Sequence, residues 1–170
     1  MTPEECFQLA LKFVLKWEGG YSFRKDDPGG ETNFGITDKR DGIIDGLVDI
    51  DGNKTGDVPI KQLTREQVGE IYRKQYWEKV GSSKDAEYGE YKLAIVVFDC
   101  AVNCGVRRTL EWLLKANASV QTPELLKIEQ VIINQILRLR EEHYVAQRKP
   151  QFLKGWMNRL NDLRSYVQTI

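Results

Sequence analysis

Glu18 is the residue in this chain best placed to do chemistry. It closes an apolar, helix-patterned segment, and Gly19-Gly20-Tyr21-Ser22 follows at once, leading into a loop dense in Gly, Asp, Thr and Asn as far as Thr37. Hydrolysis of a glycosidic bond needs a carboxylic acid that gives its proton to the leaving oxygen, and apolar surroundings keep such an acid protonated near neutral pH. Leu15, Trp17 and Tyr21 are the sequence neighbours that supply those surroundings. The reaction also needs a group on the other face of the sugar, to orient water or stabilise the oxocarbenium ion. Asp27, nine residues on, is the candidate, with the Gly29-Gly30 turn to fold it back and Thr32 or Thr37 to hold a water beside it. Tyr21 is the candidate for stacking on a sugar ring. A lone glutamate at a helix end is ordinarily a solvated residue, and the dense loop after Glu18 is what argues otherwise.

The elements that must position these residues follow from periodicity and punctuation. Thr2-Pro3-Glu4-Glu5 is a helix start, with Thr as N-cap, Pro at the first helical position and acids in the first turn. Phe7, Ala10, Leu11, Val14 and Leu15 recur at helical spacing, and Gly19-Gly20 ends the run. Residues 20–60 predict a small irregular or β-containing lobe, with short hairpins around Phe34-Gly35-Ile36-Thr37 and at Ile43-Ile44 or Leu47-Val48. Residues 60–80 turn helical, with a capping-box pattern from Thr64 to Gln67 and an apolar face of Val68, Ile71, Tyr72, Tyr76 and Trp77. After a polar link at 81–91, Leu93 to Ala116 is the central core helix, with Asn103 and Gly105 marking a kink or break. Asn103, an amide in an apolar helix, needs a partner; it reads equally well as lining the floor of a cleft or as tying the loop to the helix. Pro123-Glu124 opens a long helix carrying Leu126, Ile128, Val131, Ile132, Ile136, Leu137, Tyr144 and Val145. Pro150 opens the last one, with Phe152, Trp156, Leu160, Leu163 and Val167. The fold class is mainly α.

The composition excludes several other functions. The 170 residues are 41% hydrophobic and 29% charged, and the formal net charge is zero, so no global field recruits nucleic acid or an anionic membrane. No run is long enough to span a bilayer, and Glu4 and Glu5 stand where a signal peptide carries its basic residues. Residues 24–57 are acid-heavy, whereas Arg138, Arg140, Arg148, Lys149, Lys154, Arg159 and Arg164 make the C-terminal third basic; two solvated faces are the expectation. Cys6, Cys100 and Cys104 are odd in number and do not suggest a disulfide framework; Cys100 and Cys104, four apart in an apolar run, read as small core residues, and zinc lacks ligands, His143 being the single histidine. Asp49, Asp51, Asn53 and Asp57 place oxygen side chains at alternate positions, as a calcium loop does. Lys54 replaces the glycine at the sixth position and Ile60 the acid at the twelfth, so a solvated turn is the better reading.

Trp17-Glu18-Gly19-Gly20-Tyr21, followed by Asp27-Pro28-Gly29-Gly30 and Thr32-Asn33-Phe34-Gly35-Ile36-Thr37, resembles the signature of glycoside hydrolase family 108. Those proteins are N-acetylmuramidases of phages and bacteria, some labelled secretion activators. Phe98-Asp99-Cys100-Ala101-Val102-Asn103-Cys104-Gly105 is similar to the family's Phe-Asp-x-Ala-Val-Asn-x-Gly run. Phe152-Leu153-Lys154-Gly155-Trp156-Met157-Asn158-Arg159 resembles the ending of the peptidoglycan-binding region usually attached. The resemblance implies a lysozyme-like fold with Glu18 as catalytic acid. The Glu, Asp, Thr order of phage-type lysozymes offers Asp27 and Thr32 as its companions by analogy, and Asn33 is a candidate for positioning water or an acetamido group. The expected organisation is a catalytic region at 1–90 and a peptidoglycan-binding region at 91–170, packed as one unit. The expected function is an endolysin-type muramidase, cutting the β-1,4 bond between N-acetylmuramic acid and N-acetylglucosamine without a cofactor. The expected protein is a monomer, made in the cytoplasm and carried to the wall by a holin or a secretion system, with the basic C-terminal helices on the glycan strand. The rival expectation is a non-catalytic wall-binding or secretion-accessory protein.

Overall fold

The computed structural model describes residues 1–23, 30–120 and 125–170. The chain is mainly α, with two small antiparallel hairpins among the described residues of its first half. It forms two compact units: Leu11–Gln75, and Met1–Ala10 together with Tyr76–Ile170.

Helix α1 (Pro3–Glu18) supplies its first turns to one unit and its last turns to the other. Its start is a reciprocal cap: the Glu5 amide donates to Thr2 Oγ1 at 3.2 Å, and the Thr2 amide donates to Glu5 Oε2 at 2.7 Å.

In the Leu11–Gln75 unit, β1 (Thr32–Asn33) pairs with β2 (Ile36–Thr37), and β3 (Leu47–Val48) pairs with β4 (Val58–Pro59). Phe34 therefore lies in the turn of its hairpin rather than in a strand. Phe34 and Gly35 both have positive φ, 50° and 75°, as a two-residue turn that matches strand twist requires. Ile43 and Ile44 are exposed and form no strand. Helix α2 (Arg65–Tyr72) carries the expected Thr64–Gln67 capping box and buries Val68, Ile71 and Tyr72. A π-helical turn, Arg73–Trp77, continues it.

The acid-heavy stretch is not simply a solvated face. Asp38 is buried, and its carboxylate accepts the amides of Asp45 and Gly46 at 3.0–3.2 Å, which closes the loop between the hairpins. Gly30 abuts that carboxylate: a Cβ there would stand 2.9 Å from Asp38 Oδ2 and 3.0 Å from Ile44 Cγ2.

In the other unit the polar link contains a short helix, α3 (Ser82–Glu87). Ser82 and Ala86, one turn apart, are buried there, and the Ser82 hydroxyl donates to the Ala94 carbonyl. Helix α4 (Tyr91–Cys104) is the core helix, buried from Leu93 through Ala101. It breaks at Gly105, and α5 (Val106–Ala118) departs from the break. Helices α6 (Leu125–Ala146) and α7 (Pro150–Thr169) complete the bundle. Phe7, Trp77 and Phe98 meet edge-on or tilted, with ring centroids 5.3–6.0 Å apart. Val131, Val145 and Phe152, expected on apolar faces, are exposed. Among the described residues no helix is long and apolar enough to cross a membrane.

The centre of this unit is ionic. Asp99 on α4 is fully buried and holds two arginines: Arg140 Nη1 donates to Oδ2 at 2.6 Å, and Arg159 Nη2 to Oδ1 at 2.7 Å. Burial pushes the Asp99 carboxyl up, but the two guanidinium charges and their hydrogen bonds outweigh it and hold the carboxyl below its usual value. Arg140 also donates to the Tyr144 hydroxyl at 2.6 Å, which in turn donates to Asn103 Oδ1. Two residues of the expected basic face are therefore interior, because one buried carboxylate needs them. Arg140→Met leaves Asp99 with one partner. Removing one member of a buried pair costs about 3–5 kcal/mol, so urea unfolding should show a loss of that order.

Candidate active site

The carboxylate of Glu18 is positioned by the last turn of α1 and by the hairpin turn that comes up against it. Gly19, with φ 75°, turns the chain out of the helix. The chain then runs to Ser22, whose amide and carbonyl both pair with Thr32 of β1, at 2.8 and 2.9 Å. That bridge joins the segment after Glu18 to the β1–β2 hairpin and so brings the hairpin's turn close. Glu18 itself is half-buried.

Gly35 is where the approach is tightest. A Cβ on this residue would lie 2.7 Å from Glu18 Oε2, 3.0 Å from Glu18 Cβ and 2.7 Å from the Tyr72 hydroxyl. Glycine is required on two counts here, the contact and the left-handed φ. Tyr72, buried on α2, donates its hydroxyl to the Phe34 carbonyl at 2.8 Å and so pins the turn from the helix side. The glutamate carboxylate and the tyrosine hydroxyl thus both approach one glycine, and a carboxyl group is one that can exchange a proton with a leaving oxygen.

A second cluster lies in the same unit. The Lys61 ammonium stands 3.3 Å from Glu31 Oε1 and over the Tyr21 ring, 5.4 Å from its centroid. Hydrogen bonding to Tyr21 and then to Glu31, with the Glu31 charge adding to it, raises the Lys61 pKa above its usual value.

The other expected site residues are distributed as follows. Thr32 is half-buried and sits in β1 opposite Thr37, which is exposed. Asn33 is buried and donates its amide to the Ile60 carbonyl at 2.9 Å, so in this structure the side chain holds β1 to the turn at Ile60–Gln62. Asp27 lies outside the described residues. Asn103 belongs to the helical unit, where its oxygen accepts from Tyr144. Tyr72, Gly35, Lys61 and Glu31 were not expected in a site. Tyr72 read as one more apolar residue of α2, and nothing in its spacing told that its hydroxyl would reach the hairpin.

Asp49, Asp51 and Asp57 offer carboxylate oxygens within 4.8 Å of one another. These oxygens are already engaged locally: Asp49 accepts from the Gly52 and Lys54 amides, Asp51 from Asn53, and Asp57 from the Ile50 amide. Desolvation pushes the Asp49 carboxyl up, but its backbone hydrogen bonds prevail and lower it. Asp49 is buried and anchors the loop.

Residues 11–105 match the family described as Glycosyl hydrolase 108. Among solved structures, that of Brucella abortus SagA is similar, with 26% sequence identity and a TM-score of 0.66 over 98% of this chain and 95% of that one. No curated protein matches the chain. The matched span contains Glu18, the β1–β2 hairpin, Tyr72 and the Asp99–Asn103 stretch of α4.

The geometry at Gly35 yields a direct test. Gly35→Ala carries about 1–2 kcal/mol of left-handed strain and forces either Glu18 or Tyr72 to move. Because misplacing a catalytic group by about 1 Å can cost on the order of 100-fold in rate, activity should fall by at least tenfold. Circular dichroism and the unfolding midpoint should report a folded protein.

Proposed function

The chain belongs to glycosyl hydrolase family 108, and from that premise we propose that it is a peptidoglycan hydrolase of the muramidase type. The bond cut is the β-1,4 linkage between N-acetylmuramic acid and N-acetylglucosamine, and Glu18 is the general acid. The observation that carries the reading is the contact of the Phe34–Gly35 turn with the Glu18 carboxylate inside the matched span. A side chain at residue 35 would occupy the space of that carboxylate, so the hairpin and the acid are built to fit each other.

In this reading Glu18 protonates the glycosidic oxygen as the bond breaks, while a group on the opposite face of the sugar assists water or the oxocarbenium ion. Asp27 is the proposed partner, with Thr32 holding the water, and Tyr21 and Thr37 are the proposed substrate contacts. Asn33 supports the β1–β2 hairpin through Ile60. The exposed Arg148, Lys149 and Lys154, around the exposed Phe152 and the half-buried Trp156, are the proposed contacts to the acidic wall polymer. Delivery to the wall by a holin or a secretion system, as for a phage endolysin, is part of the same proposal.

The test is turbidity loss of purified peptidoglycan with wild type and Glu18→Gln, both shown to be folded. General-acid catalysis contributes about 100- to 10,000-fold, so the variant should clear the wall at least 100-fold more slowly. Equal clearing by both places the acid elsewhere. The Phe152 and Trp156 surface favours one rival, a wall-binding protein without catalysis, and that rival prevails if both proteins bind peptidoglycan and neither clears it.

A further inference from the structure

Tyr21 has an unusual setting for an exposed aromatic. The residue is 43% exposed, three residues beyond Glu18 and past two glycines, where a free side chain would sample many orientations. Yet the Lys61 ammonium lies over the ring at 5.4 Å and is itself held by Glu31 at 3.3 Å. Glu31 is only 19% exposed, and its carbonyl accepts the Asp38 amide at 2.9 Å.

Each of the three residues adjoins a fixed point. Tyr21 precedes Ser22 and Glu31 precedes Thr32, the two partners of the β-bridge. Lys61 follows Ile60, whose carbonyl takes the Asn33 amide. Surface lysine–glutamate pairs contribute little to folding, so stability is a weak reason for assembling this one. Orientation of the ring is a better one, since a platform already fixed loses less entropy when a ligand settles on it.

We propose that Lys61 and Glu31 are a positioning pair that holds the Tyr21 ring as a stacking platform for a pyranose of the glycan strand. Lys61, 5.4 Å from the ring centroid, anchors the ring, and the apolar C–H face of a sugar stacks on it. This rests on the glycan-cleaving reading of the Glu18 site and adds to it a binding subsite beside the acid.

The test is calorimetric binding of soluble, uncrosslinked peptidoglycan glycan fragments to the Glu18→Gln protein, with further substitutions made in that background. An exposed cation–ring contact of about 0.5–1 kcal/mol corresponds to about a two- to fivefold change in Kd, so Lys61→Met should weaken binding by that factor. Tyr21→Ala should weaken it at least as much, and Lys61→Arg should bind nearly as the parent. Lys61→Met added to Tyr21→Ala should change nothing further, because the lysine acts through the ring. The unfolding midpoint should stay constant throughout.

Unchanged binding by Lys61→Met, a loss that adds in full to that of Tyr21→Ala, or no fragment binding at all overturns the proposal. The two readings fail separately. If wild type clears the wall while Tyr21 and Lys61 prove indifferent, the subsite is wrong and the hydrolase stands. If the binding pattern holds while wild type clears nothing, the subsite stands and the hydrolase is wrong.

Discussion

The Phe34–Gly35 turn can lie against Glu18 because residue 35 has no side chain, and much of the Leu11–Gln75 unit is arranged around that approach. The turn needs positive φ at both positions, which the β1–β2 hairpin imposes and glycine relieves at one of them. The hairpin is held from three directions: by Ser22 through the β-bridge, by Tyr72 through the Phe34 carbonyl, and by Asn33 through the Ile60 carbonyl. Each tie is a single neutral hydrogen bond or a pair of them, worth about 1 kcal/mol each. Together they fix a loop of few apolar contacts, and the fixed loop fixes the acid's surroundings.

The helical unit solves a different problem. Its core helix carries a charge where a chain usually places leucine, and Asp99 is tolerated because Arg140 and Arg159 reach it from α6 and α7. Such a network ties three helices together in a defined register, since a guanidinium that misses its carboxylate leaves a buried charge unpaired. Arg140 also positions Tyr144, which stacks on Trp156 with centroids 5.3 Å apart. The interior ion pair and the aromatic surface near Phe152 are thus parts of one arrangement.

Much of this was legible in the sequence, for physical reasons that differ from element to element. The ends of α1, the Thr64 cap, the break at Gly105 and the Pro150 start are local signals written within a few residues. Glu18 was singled out because a loop dense in Gly, Asp, Thr and Asn follows directly on the helix end. The partners of Asp99 were illegible, since Arg140 and Arg159 are 41 and 60 residues away and look like ordinary surface charges. Tyr72 and Lys61 were missed for the same reason: their roles arise from contacts across the fold, not from spacing. Helix α3 escaped because its burial rests on two small residues, Ser82 and Ala86, which carry little periodic signal.

The measurement that bears most directly on the central claim is the identity of the new reducing end after digestion of purified peptidoglycan, read by mass spectrometry following borohydride reduction. Hydrolysis of the proposed bond with Glu18 as acid predicts muropeptides ending in reduced muramic acid, and their disappearance with Glu18→Gln. Fragments ending in reduced glucosamine or in an anhydro sugar, or the same products from the Glu18→Gln protein at an equal rate, would contradict it.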